Sequence, residues 1–386
     1  MTNDQGVVWQ MEAEGGRKSR IAGRCSIRDL SVFSWCLRAL VVQTGLRGDV
    51  MAVGERAMRL GMLGMWHVHA TGLVRQIGLH PDEFQLVAGY DADGAVAAAR
   101  QAEWRGLVPE FRCVETPDEL LALDLDGVLV EGRIEENVSL ARQAVERGLP
   151  VLLEKPAGID FAAFRSLHNL AAERGVHVQM AYLFRAMPAV RGMLNLARSG
   201  ALGELYRFHA RLPKERSLYD EFVHDLGGLP GGMFFEMAGH LVDFLVTVSG
   251  RPGEIHPVLR HHHPGEGRFV DNAVVVLECG RLLATLESTA LEVVPGMRRI
   301  ELFGSKGGVV IPHLGSGHLA NFPKQPYEVY LAETGRWERY EPDAVPLQIA
   351  DLREFRAVVC EGKAPEYPAE HDLAVQETLM QCVGGG

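Results

Sequence analysis

The chain is short of the features that secreted, membrane-spanning and nucleic-acid-binding proteins depend on. It holds six cysteines in 386 residues, at 25, 36, 113, 279, 360 and 382, and no two of them make a C-x-x-C pair. That spacing argues against a zinc or disulfide framework and for a reducing compartment, so a cytoplasmic location is expected. No uninterrupted apolar stretch approaches the ~20 residues that a membrane-spanning helix needs. The net charge is -11, and no Lys/Arg cluster is large enough to offset it. Nucleic acid and anionic membrane surfaces are therefore not expected as partners. No internal repeat and no low-complexity tract interrupts the chain.

What remains is ordinary globular composition, 47% hydrophobic and 23% charged, over a length that suits two domains. Residues 1–57 read differently from the rest. The patchy apolar run Leu30 to Leu46 is cut by Arg38 and is followed by no small-residue cleavage site. These residues are expected to form a poorly ordered extension upstream of the true start.

From Leu60 onward, short apolar runs alternate with amphipathic stretches, the pattern of βαβ units and a parallel sheet. Strands are predicted at 59–63, 84–90, 127–130, 150–154 and 177–181. The clearest intervening helices are 92–103, 135–147 and 161–174, the last two stopped by Gly148 and Gly175. After Ala181 the rhythm changes to strands joined by short glycine turns, at Cys279-Gly280-Arg281 and Gly304-Ser305-Lys306-Gly307, which predicts a largely antiparallel sheet. The fold class is thus a doubly wound α/β Rossmann domain, 58–181. An α+β domain, 182–386, follows it, with C-terminal helices packing back on the body.

The chemistry concentrates at three places. Val151-Leu152-Leu153 reads as a buried central strand, and Pro156 forces it to stop. Glu154 and Lys155 then stand at its carboxyl end, where ligands of open α/β sheets bind. A salt-bridged strand-end lysine is the plainer alternative. At the first strand, Gly61-Met62-Leu63-Gly64-Met65-Trp66-His67-Val68-His69 would start a G-x-G-x-x-G at Gly64, but Trp66 and His69 occupy the second and third glycine positions. Asp91, 27 residues after Gly64, is placed to accept ribose hydroxyls or to cap the next helix. No arginine follows until Arg100, which favours NAD over NADP. His67 and His69 suit the cofactor pocket, the substrate pocket or a helix cap. Their spacing with Glu236 and His240 matches no zinc signature, so no metal is expected.

Third, Glu236, His240 and Asp243 share one face of a helix that opens at Gly231-Gly232. A carboxylate orienting an imidazole makes a general base, and it also occurs as an ordinary surface pair. Arg185, between a strand and Pro188, reads as an anion-binding or a structural arginine.

With Glu154-Lys155-Pro156 closing its strand and Gly231-Gly232 followed by Glu236, His240 and Asp243, the sequence resembles the Gfo/Idh/MocA family of NAD(P)-dependent oxidoreductases over about residues 58–382. The resemblance implies sugars, inositols or related polyols as substrates and an open second-domain sheet through which a homo-oligomer forms. By position, it makes Lys155 the group on the reacting hydroxyl and the nicotinamide edge. His240 is then the acid/base, and Glu236 stands where an aspartate is usual. The expected cofactor-binding set is Gly61, Gly64, Met65, Trp66, His67, Asp91, Glu154 and Lys155. The expected substrate set is His69, Arg185, His240 and Asp243. Two rival readings keep the dinucleotide. One is glycoside cleavage by transient oxidation and elimination with a retained cofactor; the other is a non-catalytic nucleotide sensor.

Overall fold

A computed structural model of the chain describes residues 56–264, 267–293, 298–314 and 323–384. The expected N-terminal extension lies outside them, apart from its last two residues. Within them, five strands of nearly unbroken apolar sequence lie parallel: β1 (Met58–Leu63), β2 (Phe84–Tyr90), β3 (Gly127–Val130), β4 (Val151–Leu153) and β5 (Val178–Met180), in the order β2-β1-β3-β4-β5. Strands buried on both faces read as continuous hydrophobic runs rather than alternating ones, and β3, β4 and β5 are buried at every position.

The helices α1 (His69–Leu79), α2 (Gly94–Trp104), α3 (Pro117–Leu121), α4 (Asn137–Glu146) and α5 (Phe161–Arg174) connect these strands. Asp93 caps α2 by accepting the Ala95 and Val96 N–H groups, and Asp160 caps α5 at Ala163. Because β1 lies between β2 and β3, the chain leaves β1 in one direction and later returns on its other side. A crevice forms at such a switch point, beyond the carboxyl ends of the strands. Gly64, Glu131 and Glu154 directly follow β1, β3 and β4 and so meet there.

The second part begins with α6 (Pro188–Arg198), β6 (Leu205–Arg211), α7 (Tyr219–Leu226) and α8 (Gly232–Ser249). It continues with β7 (Glu254–Arg260), β8 (Asn272–Cys279), β9 (Leu282–Thr289), β10 (Arg299–Gly304), β11 (Gly307–Ile311), β12 (Tyr327–Leu331) and β13 (Arg336–Tyr340). These strands form one sheet, β13-β12-β11-β10-β6-β9-β8-β7, antiparallel except where β6 meets β9. Among the described residues, α8 is the one helix long and apolar enough to cross a membrane, yet 78% of it is buried in the interior. It is the core helix of the second part.

The chain then returns through α9 (Leu347–Glu361) and α10 (Ala369–Cys382). Phe355 of α9 is fully buried against the first sheet. Gly127 makes room for it, since a Cβ there would stand 2.8 Å from the Phe355 ring. The C-terminal helix α10 packs along α8. Replacing Phe355 with alanine is expected to lower unfolding free energy by about 3–5 kcal/mol, the usual cost of emptying a buried aromatic site. A urea titration that leaves the midpoint unchanged would show that α9 does not close the first sheet.

Candidate active site

The loop leaving β1 is held from several sides. Gly64 adopts φ +79°, and a Cβ at that position would lie 2.6 Å from Gly132 Cα. Only glycine lets the two backbones approach so closely. Gly61, by contrast, lies inside β1, where its missing side chain makes room for Leu125. The Met65 N–H donates to Asp91 Oδ2 at 2.6 Å, and the Asp93 N–H donates to Asp91 Oδ1 at 2.9 Å. Asp91 therefore ties the loop to the end of β2, while the helix cap is Asp93.

Arg100, reaching back from α2, donates to the carbonyls of Met65, Trp66 and His67 at 2.9, 3.2 and 3.4 Å. Peptide planarity then turns the N–H groups of Trp66 and Val68 away from Arg100. Helix α1 starts without a side-chain cap and with no acidic residue in its first turn. Donors of this kind at a helix start suit a pyrophosphate, so the residues present fit a dinucleotide although two fingerprint glycines are missing. Trp66 is half-buried, with the Arg133 guanidinium 4.7 Å from its ring centre.

Beyond the loop lies a buried charged cluster. The Lys155 ammonium donates to the Glu236 carboxylate and, at 3.2 Å, to the Glu236 carbonyl, which joins β4 to α8. His69 Nδ1 stands 3.1 Å from Glu154 Oε2. The His67 ring lies among three carboxylates: Glu131 at 3.6 Å, Glu154 at 3.8 Å and Glu236 at 3.8 Å.

Burial works against every charge here, so partners decide the outcome. Burial opposes the His67 imidazolium, but Glu154, Glu131 and Glu236 outweigh it and raise its pKa to about 10. Burial pushes Glu154 up, but His69, His67 and Lys155 leave it at about 2. For Glu131, burial and the neighbouring Glu154 win over His67, and its pKa rises to about 7. Burial likewise opposes the charge on Lys155 and on Glu236, but each holds the other ionised.

His240 behaves differently. It is buried between aromatic rings, stacked on Phe184 at 4.2 Å and edge-on to Tyr182 at 5.8 Å. Burial, with Lys155 adding to it, holds its pKa well below the ordinary imidazole value, so the ring is neutral. The expected pairing of Glu236 with His240 is not the observed one: Glu236 turns to Lys155, and His240 Nδ1 is buried without a hydrogen-bond partner.

Arg185 and Asp243 are not among these residues. Asp243 accepts from Arg185 Nε and from its terminal nitrogen, the latter at 2.6 Å, and lies 2.8 Å from His371 Nε2. Arg185 also donates to Asp372 at 2.9 Å. Both are buried and paired with each other, away from the Lys155 cluster. They fasten α8 to α10 and to the turn after β5.

Next to the cluster, a cavity of about 170 Å³ opens between Trp66, His67, Phe222, Met233, Met237 and Glu236. Lys214 also lines it, and burial with the nearby Arg298 lowers its pKa to about 8. Four contributors escaped the sequence reading. Glu131 follows the apolar run of β3 as Glu154 follows β4, so the same strand-end rule reaches it. Arg100, Phe184 and Lys214 carry no local signal, because tertiary folding alone brings them in.

A parallel sheet with a loop built for a dinucleotide, and a buried lysine beside a neutral histidine at its edge, define an NAD(P)-binding oxidoreductase. Residues 58–182 match the oxidoreductase family's NAD-binding Rossmann fold, and residues 190–310 match the GFO/IDH/MocA C-terminal domain. The chain belongs to the Gfo/Idh/MocA family.

It is 29% identical over 142 residues to the rhizopine catabolism protein MocA of Rhizobium meliloti, covering 36% of this chain and 44% of that protein. It is 31% identical over 132 residues to trans-1,2-dihydrobenzene-1,2-diol dehydrogenase of Oryctolagus cuniculus, covering 34% of this chain and 38% of that one. The matched part thus spans less than half the length of either relative. Among solved structures, KijD10, a 3-ketoreductase from Actinomadura kijaniata in complex with NADP and TDP-benzene, superposes with a TM-score of 0.71 at 19% identity. That match covers 86% of this chain and 98% of KijD10 and bears on the fold alone.

Replacing Arg185 with alanine strands two buried carboxylates, Asp243 and Asp372, and is expected to cost about 3–5 kcal/mol of stability. Equilibrium unfolding of the variant checks this. A loss within 0.5 kcal/mol or so, the range of ordinary surface substitutions, would mean that the pairing is not structural.

Proposed function

We propose that the protein transfers a hydride between a nicotinamide and a secondary hydroxyl or ketone of a ring-bearing, sugar-like polyol. The observation that carries this reading is the Lys155 ammonium held by Glu236, with His240 one turn further along α8, neutral and near enough for the ammonium to lower its pKa. When bound, NAD(P) supplies the hydride acceptor or donor.

The roles then follow from charge and protonation. Lys155 donates a hydrogen bond to the reacting oxygen and stabilises the negative charge that grows there as the C–H bond breaks. His240, uncharged because it is buried, takes the hydroxyl proton in oxidation and returns it in reduction. Glu236 is a positioning residue: it fixes the ammonium and keeps it ionised. Trp66 and Phe222 offer flat faces to the carbon face of a ring, and Lys214 and Glu236 offer polar contacts to its hydroxyls. The cofactor is proposed to be NAD, since the carboxylate of Asp91 marks the end of β2 and Arg100 is already committed to the loop carbonyls.

The unpaired Cys113, Cys279, Cys360 and Cys382 support a reducing, cytoplasmic setting. The outward Val258, Leu283 and Trp337, each about half exposed, support pairing of copies through the second sheet.

Lys155→Ala is expected to lower turnover, followed at the nicotinamide absorbance with a polyol panel, by roughly 10²- to 10³-fold, as for loss of one transition-state donor. Cofactor affinity by calorimetry should hold. Unchanged turnover defeats the assignment, and product formed without free reduced nicotinamide points to the elimination reading instead.

The pH dependence has a definite sign. A base with depressed pKa stays in its working, unprotonated form as pH falls through the ordinary value near 6.5. The oxidation rate should therefore show no acid limb centred at 6.5 or above. A profile from pH 5 to 8 with such a limb, lost in His240→Ala, would contradict a neutral buried base.

A further inference from the structure

We propose that His67, His69 and Glu154, backed by Glu131, form a binding site for a divalent transition-metal cation. The ligand atoms offered by His67, His69 and Glu154 all lie within 4.8 Å of one another. Metal–nitrogen and metal–oxygen bonds of about 2.0–2.2 Å put the atoms of one shell roughly 3–4 Å apart, so small side-chain adjustments close it. Two imidazoles and one carboxylate are the donor set that borderline cations accept while keeping further positions open, and His67 releases its ring proton as the cation binds.

A second, independent observation favours a cation among these groups. Glu131 is fully buried, and neither of its carboxylate oxygens has a hydrogen-bond donor. Its Oε2 is aimed into the cluster, 3.6 Å from His67 Nδ1. Glu154 Oε1 and Glu236 Oε2 are buried without a hydrogen-bond donor as well. A buried carboxylate with no hydrogen-bond donor, its nearest partner an imidazole 3.6 Å away, is costly, and a dication placed among these oxygens in exchange for the His67 proton offsets that cost.

The frame is also preformed. The three donors and Glu131 come from the ends of β1, β3 and β4, and the Glu131 carbonyl accepts the His67 N–H at 2.9 Å, which fixes where the imidazole sits. Glu254, His256 and Glu278 offer the same atom types, but all three are exposed on β7 and β8. They have no orphaned buried group beside them and serve as the control.

The inference does not rest on the hydride-transfer reading, and its test does not use turnover. The full-length protein, stripped with a chelator and desalted, is titrated at neutral pH with Zn²⁺ alone and with Mn²⁺ alone by calorimetry, without dinucleotide. One equivalent of at least one of the two metals should bind tightly. His69→Ala should weaken that event by at least tenfold. Glu131→Gln, which keeps the side-chain size, should weaken it by roughly ten- to a hundredfold, as for a residue supporting a metal ligand. His256→Ala should leave it unchanged. No tight event with either metal, an event that survives both His69→Ala and Glu131→Gln, or one removed by His256→Ala would overturn the site.

Discussion

The site depends on the ion pair between Lys155 and Glu236. A lysine that is 2% exposed is tolerated only with a charge partner, and Glu236 is that partner across 81 residues of chain. The pair draws α8 onto the carboxyl end of β4 and so joins the second part of the molecule to the crevice of the first. It also sets the state of its surroundings. With Glu236 committed to Lys155, His240 has no carboxylate of its own and stays neutral between Phe184 and Tyr182. The protonation state that suits a proton acceptor thus follows from a pairing in which His240 takes no part.

A second charged system stands behind the first and keeps it in place. The buried Arg185, Asp243 and Asp372 and the partly buried His371 link α8, α10 and the turn after β5 and are mutually paired. The two systems divide the acidic and basic residues of α8 by depth. Glu236 lines the cavity, His240 is buried between Phe184 and Tyr182, and Asp243 anchors the helix through Arg185. One helical face, read from spacing alone, therefore carries three different tasks.

Much of the fold was legible because burial writes itself into sequence. Val151-Leu152-Leu153 between two prolines, and the repeated apolar runs before it, predict a parallel sheet whose strands are covered on both faces. Phe84 to Tyr90 falls where expected, and β9 begins at Leu282, directly after the expected turn at Cys279-Gly280-Arg281. Other elements were hidden for physical reasons. The edge strand β13 and its neighbour β12 carry charged and aromatic residues at partly exposed positions, and β7 holds Pro257, which an edge strand tolerates and a central one does not. Helix α7 lies in the stretch between Pro213 and Pro230, where only Tyr219, Phe222, Val223 and Leu226 show helical spacing. In the site, strand-end rules found Glu154 and Lys155, but partners across the fold were beyond spacing. Nothing local says that Glu236 meets Lys155, that Asp243 meets Arg185, or that Arg100 clamps the loop.

The central claim is that the nicotinamide ring comes to rest in the crevice beside both Lys155 and His240. A crystal structure of the protein grown with NAD⁺ tests it most directly. The account predicts the pyrophosphate against the Gly64 to His69 loop, and the nicotinamide ring with Lys155 at its edge and the His240 imidazole facing the same space. A dinucleotide bound with its nicotinamide away from both side chains would contradict it.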